Sequence, residues 1–280
     1  MSSDASIEAF YSFVNADAFD PDASDRSIDI INPWTGSTVA QMHCAGTTGI
    51  NHAVAAAKTA FQKNRNATRL QRSQWLEAAA ARIDADQDAL SGMMVKMIGK
   101  PVKAAKFEVG RSAAFIRSCA RHILEMAGEM VPLDSSAAGA GRIGYADRVP
   151  FGVVLGVTPF NAPANLLVQK VAPALATGNA IIVKPSPEGA AVALRIAALF
   201  AQAGLPEGLF QVILGDAQEA LALAAHPDIA VVTLTGGTAA GEALAKAGGA
   251  KPFLGELGGN SANIVCADAD IQDAAARIAP

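Results

Sequence analysis

The sequence is short of cysteine, of aromatic rings and of surplus charge. Three cysteines, Cys44, Cys119 and Cys266, stand among 280 residues, an odd number with no C-x-x-C pair. Neither a disulfide framework nor a thiolate zinc site is indicated. The four histidines, His43, His52, His122 and His226, are scattered, and no two share the i, i+4 spacing that turns two imidazoles toward one metal. No metal site is expected. Aromatic residues make up 5%, and the formal net charge is only −4. A phosphate-tracking surface needs clustered surplus Lys and Arg, so nucleic acid is not an expected partner. Apolar runs of about eighteen residues or more are absent, and those around 153–157 and 181–183 have the length of a strand. No membrane span is expected. The opening MSSDASIEAFYSF carries acids where a secretory signal needs basic residues, and it lacks an apolar stretch, which reads as cytoplasmic.

What is present is a core. Hydrophobic residues make up 51% and charged residues 17%, a composition that excludes disorder and fits a globular chain. Residues 1–25 are polar and acidic and are expected to form a flexible lead-in. The turn Asn32-Pro33-Trp34-Thr35-Gly36 follows, with apolar flanks that suggest a hairpin. Ile50, Val54, Ala57 and Phe61 then recur at helical spacing, and Leu76, Ala80, Ile83, Leu90, Met94 and Met97 extend a second helical pattern to Gly99-Lys100-Pro101. A third helix is predicted from 102 to about 130, with Phe107, Phe115, Ile116, Ile123 and Met126 facing inward. Residues 26–131 thus form an N-terminal helical region, and 132–150 a connecting segment.

From 151 the pattern becomes strand and helix in alternation. Strands are predicted at 152–157, 180–185, 209–214 and 229–234, with helices at about 166–175, 190–203 and 217–225 between them. Continuous apolar strands separated by helices mark a parallel sheet covered on both faces. The predicted fold class is α/β, a doubly wound, Rossmann-like parallel sheet over 151–259. Its ligand should lie outside the carboxyl ends of the strands.

Those ends carry polar and small residues. Thr158-Pro159-Phe160-Asn161 follows the first strand, and Asn161 offers an amide donor. Lys184-Pro185-Ser186 ends the second and places an ammonium at the rim. Gly236-Gly237-Thr238-Ala239-Ala240-Gly241 follows a later strand, and exposed N–H groups at such a helix start make an anion site. Glu256 stands between glycines in Gly255-Glu256-Leu257-Gly258-Gly259. No G-x-G-x-x-G follows the first strand, so the usual dinucleotide fingerprint is missing.

With these elements in this order, together with Asn32-Pro33, Gly99-Lys100-Pro101, Glu108-Val109 and Gly204-Leu205-Pro206, the chain resembles an aldehyde dehydrogenase from about residue 26 to its end. The resemblance implies oxidation of a small-molecule aldehyde to its acid with NAD or NADP, through a cysteine thiolate. It assigns Asn161 to the oxyanion of the tetrahedral adduct and Glu256 to activation of the water that resolves the thioester. Lys184 and Ser186 would meet the adenosine ribose. Gly236, Gly237, Thr238, Ala239, Ala240 and Gly241 would lie under the pyrophosphate, with Thr158, Pro159, Phe160 and Leu257 lining the cofactor cleft. A homodimer or homotetramer is implied for the full-length form.

Departures from the family pattern are as informative. The nucleophilic cysteine is expected about ten residues past Pro280, so 260–280 reads as the start of a truncated catalytic domain. Cys266 falls in an apolar strand-like run, 263–266, and reads as a buried inert thiol; Cys44 and Cys119 read as remote from the strand ends. NAD-preferring relatives often carry a glutamate where Pro187 stands, with Glu188 one place on, which keeps both cofactors open. Gly215-Asp216-Ala217 is poorer in glycine than its counterparts and has no functional account at this level. A catalytically silent cofactor-binding or oligomerisation fragment is the alternative.

Overall fold

The computed structural model describes residues 7–19 and 26–278. Three short strands come first, β1 (Glu8–Phe10), β2 (Ser12–Val14) and β3 (Asp17–Phe19), then the hairpin of β4 (Ser27–Ile31) and β5 (Thr38–His43). Helices α1 (Gly46–Asn64), α2 (Arg69–Ala85), α3 (Gln87–Ile98) and α4 (Val102–Glu125) follow. A two-stranded ribbon, β6 (Glu129–Val131) and β7 (Gly144–Ala146), separates them from the alternating region. That region runs β8 (Val153–Thr158), α5 (Pro163–Ala176), β9 (Ala180–Pro185), α6 (Ala190–Gln202), β10 (Phe210–Val212) and α7 (Ala217–Ala225). It continues with β11 (Ile229–Gly236), α8 (Thr238–Gly248) and β12 (Phe253–Leu257), and α9 (Ile271–Ile278) comes last.

The main sheet has the order β12-β11-β8-β9-β10-β2-β3, and its first five strands are parallel. Every residue of β8 and β9 is buried, because helices cover both faces. This is the predicted doubly wound α/β class. The chain enters at β8, moves outward through β9 and β10, then returns to the other side of β8 as β11 and β12. Strand order therefore reverses between β8 and β11, and a crevice opens outside the carboxyl ends at such a reversal.

Register divides the strand ends between the two faces. Val157, Lys184 and Leu234 are in line across β8, β9 and β11, and Thr158 is in line with Pro185 and Thr235 with Glu256. Side chains alternate along a strand, so Lys184 and Leu257 point to one face and Thr158, Thr235 and Glu256 to the other.

Several expectations change. The lead-in placed over 1–25 is built into the fold where described: β2 pairs with β10 antiparallel, and β3 turns back through Asn15 and Ala16, both at positive φ. Phe10, Ser12 and Val14 are buried there, an alternation too short to stand out in a polar sequence. Residues 1–6 and 20–25 lie outside the described residues. The second helical pattern is two helices. Asp86 leaves helical geometry between α2 and α3, and the Arg195 guanidinium of α6 grips its carboxylate, with Nε donating at 2.8 Å. The helix predicted to about 130 stops at Glu125, where Met126 becomes extended. Phe107 is 71% exposed rather than inward, because the buried stripe of α4 runs through Ala105, Glu108, Val109, Ser112 and Ile116.

Candidate active site

Lys184 at the rim is buried, and its Nζ donates to the Gly215 carbonyl at 3.2 Å. Burial pushes its pKa down, while Asp216, Glu219 and Glu188 nearby oppose the shift. The hydroxyl of Ser186 accepts from Gly189 N–H at 3.2 Å and closes the turn over 187–189. On the same face lies the start of α8. Gly237 precedes it in extended conformation, no side chain caps it, and open space surrounds the place where a Cβ would sit. The N–H groups of Thr238, Ala239 and Ala240 are thus offered outward at the positive end of a helix. A Cβ on Gly241 would stand 2.6 Å from Leu257, so this glycine is what lets α8 lie against β12.

The other face carries different chemistry. Thr158 is buried and its hydroxyl has no partner among the described residues, while Phe160 and Asn161 beyond it are exposed. Glu256, also exposed, borders a cavity of about 670 Å³ shared with Phe115, Leu166, Lys170 and Thr235. Lys170 reaches in from α5 and donates to Thr235 Oγ1 at 2.9 Å. Burial lowers its pKa to about 8, and the Glu256 carboxylate resists that shift. A lysine depressed in this way is protonated in both folded and unfolded chains below pH 8. Between about 8 and its ordinary value of 10.5 the unfolded chain binds more protons, so stability rises with pH across that window. Thermal unfolding of Lys170→Met should show a flatter rise over this range than the parent chain. An identical slope would place the titration elsewhere.

The sequence reading left several groups near the site without a role. Arg26 bridges Asp216 at 2.6 Å and Glu219 at 3.2 Å, and Asp216 caps α7 in a reciprocal pair with Glu219. That is the account of Gly215-Asp216-Ala217: the segment is a helix cap. Lys100 and Glu108, noted before only as part of the family pattern, form an ion pair in which Glu108 is buried. Lys170 is a third addition; an i, i+9 offset from Asn161 along a loop and helix carries no periodic signal.

The cysteines differ from expectation. Cys266 lies in no strand and is exposed, since no element among the described residues packs over it. Cys44 is buried close to Lys184, Arg26 and Glu219, and so beside a strand end rather than away from it; burial raises its pKa. Cys119, raised to about 11 by burial, lines a cavity with Pro173 and Thr177 at the far end of α5 from Asn161. Among the described residues no group of three His, Cys, Asp or Glu could hold a metal, and no helix is long and apolar enough to cross a membrane.

Comparison with known proteins places this arrangement. The NADP-dependent glyceraldehyde-3-phosphate dehydrogenase of Pisum sativum is 37% identical over 259 residues, covering 91% of this chain and 52% of that protein. The structure of the NADP-dependent glyceraldehyde-3-phosphate dehydrogenase from Bacillus halodurans complexed with NADP superposes with a TM-score of 0.86 at 31% identity, covering 90% of this chain and 53% of that one. PnpE in complex with nicotinamide adenine dinucleotide gives 0.86 at 32%, over 95% and 54%. The chain spans about half the length of the curated relatives it matches. The sequence profile described as "Aldehyde dehydrogenase family" matches residues 19–280, and the chain belongs to that family.

Proposed function

We propose that this chain is the cofactor-binding part of a protein that oxidises an aldehyde to its carboxylic acid with NAD or NADP, through a cysteine beyond residue 280. One observation carries the reading: an ammonium and an open helix start occupy one face of the sheet, a carboxylate and an amide-bearing loop the other, and both meet at the reversal of strand order. A dinucleotide lying over that carboxyl edge reaches from one set to the other. The uncapped N–H groups of α8, the unpartnered Thr158 hydroxyl and the glycine packing at Gly241 fit such a ligand.

On the cofactor face Lys184 and Ser186 hold the adenosine ribose. The turn over Gly236, Gly237, Thr238, Ala239, Ala240 and Gly241 would hold the pyrophosphate with Leu257 beside it, while Thr158, Pro159 and Phe160 would wall the cleft from the opposite face. Bound NAD or NADP supplies the hydride acceptor. On the other face the Asn161 carboxamide donates to the oxyanion that forms when the thiolate adds to the carbonyl. Glu256 then takes a proton from the water that attacks the thioester, in the cavity it shares with Lys170. Pro187 removes a carboxylate that would repel a 2′-phosphate, whereas Glu188, Asp216 and Glu219 near Lys184 oppose one. The two features act in opposite directions, and parallel titration with NADH and NADPH measures their balance. The exposed Met130 and Tyr145 on the ribbon of β6 and β7, with Ile143 just before β7, support an oligomer contact there.

The purified 280-residue chain should bind NADH or NADPH, read by nucleotide fluorescence, and oxidise no aldehyde. A longer polypeptide carrying the cysteine should produce acid and reduced cofactor in equal amounts. Steady cofactor reduction by the short chain would overturn the placement of the nucleophile. Cofactor binding without turnover in the longer polypeptide would favour the silent-fragment alternative.

A further inference from the structure

Two helices begin at the strand ends that form the crevice, and they are treated in opposite ways. The start of α8 is open, whereas the start of α5 is closed by a carboxylate from another helix. Glu108 of α4 is 5% exposed, and its Oε1 accepts from the N–H groups of both Ala164 and Asn165, at 2.9 and 3.0 Å. No residue of the preceding loop caps α5. The other oxygen of Glu108 holds Lys100, and Lys100 Nζ donates in turn to the backbone carbonyl of Asn161 at 2.8 Å. The loop over 158–161 is therefore tied at both ends of its helical junction by one ion pair.

Lys100 is itself aimed. Gly99 ends α3 at φ +66°, and a Cβ there would stand 2.5 Å from Trp34 Nε1 and 2.8 Å from Pro33. Trp34 Nε1 donates to the Gly99 carbonyl at 3.1 Å, and Asn32 Nδ2 to Lys96 O at 2.9 Å. The hairpin turn between β4 and β5 clamps the end of α3 and fixes the direction in which Lys100 leaves it.

We infer that Lys100 and Glu108 are positioning residues that set the 158–161 loop, and with it the place of Asn161 against the nicotinamide end of the cofactor. This rests on the proposed reading of Asn161. An oxyanion donor must lie beside the carbon that loses hydride, and that carbon must lie beside the nicotinamide, so a shift at Asn161, the end of the loop that Lys100 holds, is felt first at that end of the dinucleotide; the other end of the loop is fixed separately, by the Ser186 N–H donating to the Thr158 carbonyl at 2.9 Å. The adenosine end is held by Lys184, Ser186 and α8, and the hydrogen bonds of the Lys184 ammonium and the Ser186 hydroxyl go to Gly215 and Gly189 rather than to Lys100 or Glu108.

The test measures dissociation constants of NAD+, NADP+ and 5′-AMP for the 280-residue chain and its variants, with the thermal midpoint of each recorded. Lys100→Met should weaken the dinucleotide by about three- to tenfold, the worth of one hydrogen bond, and leave 5′-AMP unchanged. Lys100→Arg, which keeps a donor, should restore most of the loss. Glu108→Gln keeps an oxygen for the two N–H groups but releases Lys100, and should reproduce the dinucleotide-specific weakening even if its midpoint falls. Unchanged dinucleotide affinity in Lys100→Met and Glu108→Gln, or equal weakening of 5′-AMP, would overturn the inference while leaving the cofactor reading intact. A parent chain that bound neither 5′-AMP nor dinucleotide would overturn the cofactor reading itself.

Discussion

Glu256→Gln, placed in a polypeptide that carries the cysteine, should slow steady-state aldehyde oxidation by about 10²- to 10⁴-fold while the first turnover still releases reduced cofactor. The amide keeps the shape of the carboxylate but cannot accept a proton from water. Hydride leaves the adduct before the thioester is hydrolysed, so the step that makes NADH or NADPH survives. Rapid mixing should therefore show a burst of reduced cofactor close to the number of active sites, followed by a slow phase. Loss of the burst along with turnover would place Glu256 ahead of hydride transfer and remove it as the hydrolytic base. The geometry suits this substitution: Glu256 is exposed on a strand held in register with Thr235, where an amide of the same shape displaces no buried side chain.

Asn161→Ala should act earlier and on a different observable. Removing an oxyanion donor costs about 10²- to 10³-fold in kcat, or about 3 to 4 kcal/mol of transition-state stabilisation, and the burst itself should become slow. Binding of NADH or NADPH should be nearly unchanged, because the tie from Lys100 goes to the backbone carbonyl of Asn161, which alanine retains. Asn161→Ala and Lys100→Met thus separate chemistry from placement. A normal burst in Asn161→Ala would mean that another group stabilises the oxyanion.

The sequence made some of this legible and concealed the rest for physical reasons. Strands β8, β9 and β11 were readable because burial on both faces forces continuous apolar runs, as in Val153 to Val157. The helix start at Thr238 was readable from its glycines. Strand order was not, since pairing of β8 with β11 joins residues more than seventy apart through contacts that leave no local pattern. The division of Lys184 and Glu256 between opposite faces depends on that pairing and was equally hidden. Glu108 illustrates a different limit. A lone acid in an amphipathic helix reads as a solvated residue, and only the tertiary fold shows that it faces two N–H groups of α5. Phe107 is the mirror case, an aromatic ring in the same helix that tertiary structure leaves outside. Cys266 was misread because apolar composition marks a strand only when something covers it.

The N-terminal strand β2 has a consequence for how the protein is made. Its Ser12 hydroxyl accepts from the Leu214 N–H, a partner 202 positions later in the chain. At about 5 to 20 residues per second of synthesis, β2 leaves the ribosome some 10 to 40 s before β10 exists to receive it. During that interval Phe13 and Val14 wait without β10, and the nascent chain presents an unpaired strand edge at the moment when neighbouring ribosomes on the same message present identical ones. Protection of this segment during translation, by a chaperone or by the asparagine turn that folds β3 back onto it at once, is part of the cost of completing the sheet with a strand made so long before its partner.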